Sequence, residues 1–157
     1  MKIRQTLVII KPDAVNRSLV GDIMKRFENK GLKICGLKMM ELHDEILNIH
    51  YSHHAEKPFF GKLKKFMTHS PSIVLVLEGL NAINVVRAIA GETHGAKATP
   101  GTIRGDYSMS TQANIVHASE DEKAAEEEIK RFFKPEELFE YNRVDFEMLY
   151  AEDERNV

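Results

Sequence analysis

Tryptophan is absent from this chain, cysteine occurs once and proline five times in 157 residues. A single thiol, Cys35, excludes an intramolecular disulfide. Its setting in Leu32-Lys33-Ile34-Cys35-Gly36-Leu37 points to burial as a small apolar side chain rather than to redox chemistry. No apolar run approaches the ~20 residues a membrane helix needs. Met1 is followed by a strand-like segment, not by a basic and then apolar leader, so the cytoplasm is the expected compartment. Charge of one sign is scarce too: 22 Lys and Arg stand against 24 Asp and Glu, a net charge of -2. That balance supplies no global field to attract nucleic acid or an anionic membrane, and neither is expected as a partner. A Gly-x-x-x-x-Gly-Lys-Ser/Thr phosphate loop is also missing, so nucleotide chemistry here would not run on a Walker-type fold. Repeats, linkers and low-complexity stretches are lacking. What remains, 43% hydrophobic and 29% charged, is ordinary for a globular chain and reads as one domain over 1–157.

The elements are legible from pattern. Thr6-Leu7-Val8-Ile9-Ile10 is a continuous β-branched and aliphatic run ending before Pro12, as a buried strand would. Ser18 is placed to cap a helix carrying Leu19, Ile23 and Phe27 at four-residue spacing, and Gly31 to stop it. Leu32 to Leu42 reads as a second strand, Glu45 to His54 as a helix, and a short helix lies between Pro58 and Pro71. Ser72 to Gly79 is the clearest strand. A helix from Asn81 to Ala90 follows, then a loop rich in Gly, Thr and Pro as far as Asp106. Gln112 to His117 reads as the fourth strand and Glu120 to Phe133 as a charged helix before a polar tail. The order β-α-β-(α-α)-β-α-β-α predicts an α+β, ferredoxin-like split βαβ sandwich: a four-stranded antiparallel sheet covered by helices.

Chemistry concentrates in three segments. Asn114-Ile115-Val116-His117-Ala118-Ser119-Glu120 lifts one histidine out of the end of an apolar run. Thr99-Pro100-Gly101-Thr102-Ile103-Arg104-Gly105-Asp106 carries a guanidinium in a Gly-punctuated loop, and Lys11 stands directly after the first strand. A nucleophilic imidazole, an arginine fork and a lysine are what phosphoryl transfer through a phosphohistidine requires. Taken alone, each has a plainer reading: a packed histidine, a solvated arginine, a solvated strand end.

Together these segments closely resemble the nucleoside diphosphate kinase family, from about Thr6 to about Tyr150. The resemblance implies transfer of the terminal phosphoryl of a nucleoside triphosphate, typically ATP, to His117 and then to a diphosphate such as GDP. It implies that Glu128 and Ser119 orient His117, and that Arg87, Thr93, Arg104, Tyr51 and His54 bind phosphate. Lys11 and Asn114 would bind the ribose hydroxyls, and Phe59 with Leu63 would take the base, Phe60 going to the core. Magnesium is the implied cofactor, held by phosphate oxygens and water rather than by protein carboxylates. A homo-oligomer is implied as well, a hexamer in preference to a tetramer, with Phe132 to Leu138 and the tail as contact segments. Three departures accompany the match. Glu120 replaces the usual aspartate and would still cap the helix, Ala118 replaces a glycine, and His94-Gly95-Ala96-Lys97 replaces an Asn-Pro loop. His50, His53 and His54 have helical spacing suited to metal, but no fourth ligand is evident. A non-catalytic scaffold of the same fold would be expected to lack the histidine or an arginine. A ferredoxin-like nucleic-acid binder would show sheet aromatics with a basic rim; neither pattern is present.

Overall fold

The computed structural model describes residues 2–155; Met1 and the last two residues of the tail, Asn156 and Val157, lie outside the described residues. Strand β1 (Ile3–Ile10) is followed by α1 (Pro12–Asn16), α2 (Val20–Asn29) and β2 (Lys33–Met40). Then come α3 (Asp44–His50), α4 (Phe60–Met67), β3 (Ser72–Leu80), α5 (Ala82–Ala90), α6 (Ile103–Tyr107), β4 (Val116–Ala118), α7 (Glu122–Phe132) and α8 (Phe146–Leu149). The sheet order is β2-β3-β1-β4, and every pairing is antiparallel. This is the expected split βαβ arrangement. Among the described residues no helix is long and apolar enough to cross a membrane.

Helices cover both faces, which is why the central strands read as unbroken aliphatic runs. Val8, Ile10, Leu75 and Leu77 pack with Ile23 and Phe27 of α2, Val86 of α5 and Ile103 of α6. Leu7, Ile9, Val74 and Val76 pack the opposite way, with Leu47 of α3, Leu63 and Met67 of α4, and Ile129 and Phe132 of α7. Successive residues of one strand alternate between these two cores, so neither parity is free to be polar.

Several boundaries differ from the expectation, each for a local reason. Ser18 does not cap α2: it stands at φ 56° in the turn after α1, and Leu19 is the N-cap residue with no side-chain bond. Pro12, read as the end of a strand, also opens α1, where its missing N–H costs nothing. The helix expected to reach His54 stops at His50 and gives way to a single 3-10 turn, Ser52–His54. Gly31 does end α2, at φ 95° with its amide bonded to Glu28 O. Helix α7 is capped by Asp121, whose side chain accepts from Ala124 N at 2.8 Å, and not by Glu120. Phe132 and Phe133, expected at subunit contacts, are 3% and 5% exposed in the chain's own core. Beyond them Phe139 N donates to Cys35 O at 2.8 Å and Tyr141 Oη to Ile34 O at 3.0 Å, so the C-terminal segment folds back along the edge strand β2.

Candidate active site

Strand β4 pairs with β1, placing His117 opposite Ile9. Its neighbours Val116 and Ala118 point into the α2–α5 core; period-two alternation therefore turns His117 to the face that carries α3 and α7. There His117 Nε2 lies 2.9 Å from Glu128 Oε1. The other carboxylate oxygen accepts from Ser119 Oγ at 2.6 Å, and Ser119 Oγ itself accepts from Leu7 N at 3.2 Å. Burial alone would raise the pKa of Glu128; the hydrogen bonds from His117 and Ser119 outweigh it and hold the carboxyl below its usual value. Glu128 reaches this position because it lies on the buried stripe of α7, with Ala125, Ile129 and Phe132.

Behind His117 stands a residue whose place the sequence did not reveal. His50 is 4% exposed, its ring meets that of His117 edge-on at 4.6 Å, and its Nδ1 is 3.1 Å from Arg131 Nη1. Burial, and then the neighbouring His117 and Arg131, push its pKa far down, so it stands neutral. Among the described residues, His50, His117 and Glu128 bring ligand atoms within 4.8 Å of one another. The Arg131 guanidinium occupies the His50 lone pair, however, and a second positive charge there would be repelled. The metal-like spacing of His50, His53 and His54 does not form a cluster, because the helix has ended: the His54 ring lies parallel to that of Tyr51, at 6.3 Å, and against His53.

The cationic side of the site is fixed by α6, a helix hidden in what reads as loop. Thr102 caps it, accepting from Gly105 N at 3.1 Å. Gly105 is required by close approach, since a Cβ there would sit 2.0 Å from Thr99 O. Arg104 then donates through Nη1 to Gly91 O and through Nη2 to Val116 O, both at 2.7 Å, and through Nε to Asn114 O at 3.2 Å. Burial, and then the nearby Arg87, lower its pKa to about 10, which leaves it charged at neutral pH. Lys11 Nζ donates to Asn114 Oδ1 and to Gln112 O, each at 2.8 Å, and Asn114 Nδ2 donates to Thr93 O at 2.9 Å.

One cleft, of about 1160 Å³, brings these groups together. Lys11, Tyr51, His54, Phe59, Leu63, Arg87, Thr93, Arg104, Asn114, His117 and Glu128 all line it. Ser119 is fully buried behind them. Phe59 is 43% exposed at the mouth, just before α4, while Leu63 is buried one turn further on and Phe60 packs on the core. Arginines, a lysine, an imidazole and a half-exposed aromatic ring lining one cleft suit a polyanion with a flat apolar head group.

Comparison with known proteins agrees. Residues 4–138 match the family model for nucleoside diphosphate kinase. A nucleoside diphosphate kinase of Parabacteroides distasonis is 56% identical over 96% of this chain and 98% of its own length. That of Pyrococcus horikoshii is 54% identical over 88% and 90%. Among solved structures, a halophilic nucleoside diphosphate kinase from Halobacterium salinarum in complex with CDP superposes with a TM-score of 0.93 at 43% identity, covering 96% of this chain and all of that one.

Proposed function

The chain belongs to the nucleoside diphosphate kinase family, and we propose that it carries the phosphoryl group on His117 Nδ1 in a two-step, ping-pong exchange. The observation that carries this reading is the 2.9 Å bond from Nε2 to Glu128. It engages one ring nitrogen and fixes the tautomer in which the other bears the lone pair. In the first step the Nδ1 lone pair attacks the γ-phosphorus. The bond from that phosphorus to the β,γ-bridging oxygen breaks, and the diphosphate departs with the electron pair. The Nε2 proton stays on the ring, and ionised Glu128 offsets the positive charge that develops there. A terminal oxygen of the second diphosphate then attacks the same phosphorus and returns the pair to Nδ1.

The cleft's other residues bind and orient. Arg87 and Arg104 answer the charge on the phosphoryl oxygens, with Thr93, His54 and Tyr51 beside them. Burial, and then Glu128, keep the Tyr51 phenol protonated, so it can donate. Lys11 has two of its three N–H groups committed to Gln112 and Asn114, leaving one for the ribose, whose hydroxyls it would share with Asn114. The base would stack on Phe59 against Leu63. An aromatic face accepts every base, so broad specificity is expected, ATP and GDP included. Among the described residues that line the cleft, Glu92, Glu120 and Glu127 are exposed and the one buried carboxylate, Glu128, is engaged by His117 and Ser119, so magnesium fits this donor set through the nucleotide. Bound to phosphate oxygens and water, the ion would bridge and screen the phosphates. A homohexamer is proposed from the family resemblance, supported by Leu37 and Met39, exposed on edge strand β2; native mass measurement tests it.

Initial velocities with ATP and GDP varied together test the mechanism. Parallel double-reciprocal lines are expected for exchange through a phosphoenzyme. Intersecting lines would mean that both nucleotides bind at once and would overturn it.

A further inference from the structure

Asp13 does not line the cleft, yet it grips the backbone on which the cleft's polar residues hang. Ile115 stands at φ 75°, a conformation that crowds any L residue and a β-branched one most. The Val116 amide closes a γ-turn across it onto Asn114 O at 2.8 Å. Two bonds hold that turn from the β1–α1 junction. The Ile115 amide donates to Asp13 Oδ2 at 3.1 Å, and the Lys11 amide donates to Ile115 O at 2.9 Å. Asn114 is the first residue of the turn and His117 follows directly after its last, so its geometry aims both.

Asp13 has a second oxygen, Oδ1, that is buried with no hydrogen-bond partner. Two residues away, the Lys11 side chain is almost wholly buried, at 5% exposure. Its ammonium faces Asn114 and Gln112 O, the Phe66 ring of α4, the Arg104 guanidinium of α6 and the neutral imidazole of His50 on α3. Asp13 supplies the negative charge that acts on it.

We infer that Asp13 is a positioning residue for the phosphoryl transfer: it holds the strained Ile115 turn that aims Asn114 and His117, and it sets a carboxylate two residues from the buried Lys11 side chain at the ribose end of the cleft. The inference rests on the reading of the site given above. Burial brings the Lys11 pKa down to about 8, with Asp13 resisting and Arg104 assisting. Without the Asp13 charge the proton is lost at lower pH.

The test compares Asp13→Asn and Asp13→Ala with wild type, measuring kcat and kcat/KM for ATP and GDP across the neutral to alkaline range. The asparagine carbonyl can still accept from Ile115, so that variant removes the charge and keeps the clamp. Its alkaline loss of kcat/KM should move down by about one pH unit, roughly tenfold in rate on that limb. Alanine removes the clamp as well, and kcat should fall about tenfold at every pH because the reacting groups lose their aim. Should the asparagine variant not fold, Asp13→Ser, whose hydroxyl oxygen can accept from Ile115, is read in the same way. An alkaline limb unmoved by loss of the charge, or a wild-type kcat in Asp13→Ala, would overturn the inference. A wild-type protein that transfers no phosphoryl group would overturn instead the reading on which it rests.

Discussion

Arg104 and Arg87 face the same cleft, and replacing each by alanine should separate two kinds of loss. The Arg104 guanidinium bonds three backbone carbonyls, those of Gly91, Asn114 and Val116. The last two flank Ile115 at φ 75°, a backbone state costing about 1–3 kcal/mol that its surroundings must over-determine. A hydrogen bond to a charged group is worth ~1.5–3 kcal/mol. Water entering the open cleft would restore part of three such bonds, so Arg104→Ala should destabilise the fold by about 3 kcal/mol. It should also lose a preorganised charged donor, on the order of 3 kcal/mol of transition-state stabilisation and more than a hundredfold in kcat. The Arg87 side chain is exposed on α5; its replacement should cost a similar factor in turnover and little stability. Urea unfolding at fixed protein concentration, alongside steady-state kinetics, reads both quantities. Arg104→Ala with wild-type stability, or Arg87→Ala destabilised as much as Arg104→Ala, would refute the reasoning.

Lys11 gives a pH dependence of unusual sign. Its pKa is about 8 in the fold against 10.5 when free, so between those values the unfolded chain holds the extra proton. The stability difference between wild type and Lys11→Met should therefore shift in favour of wild type as pH rises from about 8 to 10.5, while nucleotide binding weakens over the same range. A flat difference in calorimetric stability would remove the buried-ammonium description. At the cleft mouth, Phe59→Ala should raise KM for nucleotides by the ~1–3 kcal/mol of one stacked base and leave thermal stability nearly unchanged, since the ring is 43% exposed. Unchanged KM for purine and pyrimidine substrates alike would remove Phe59 from the site.

The central strands and α2 were legible because their burial is written in local pattern: an unbroken aliphatic run needs cover on both faces, and Ile23 and Phe27 recur at helical spacing. Helices α1 and α6, five residues each, are too short to display a period, and α6 is stabilised by a Thr102 cap and by the close approach at Gly105. The fourth strand was expected from Gln112, but its ladder begins only at Val116, because Ile115 leaves extended geometry to make the turn that Asp13 and Arg104 hold. Glu128 carries a readable signal after all: it stands three residues after Ala125 and four before Phe132, on the apolar stripe, although Glu126-Glu127-Glu128 looks like a solvated run. His50 carries none. Its cover by Phe132 and His117 is tertiary, and nothing in the histidine itself distinguishes it from His53 or His54. Arg104 illustrates the remaining gap: its exposed side was legible as a charge in a restrained loop, its three backbone bonds were not.

The claim that the phosphoryl group rests on His117 can be tested without any acceptor. Protein incubated with γ-labelled ATP and magnesium should take up label that is acid-labile and alkali-stable, as a phosphoramidate is, and a peptide map should assign it to His117. Added GDP or CDP should discharge it as labelled triphosphate, and His117→Ala should neither label nor turn over. A fully active His117→Ala variant, or label recovered only as an acid-stable ester on Ser119, would contradict the mechanism.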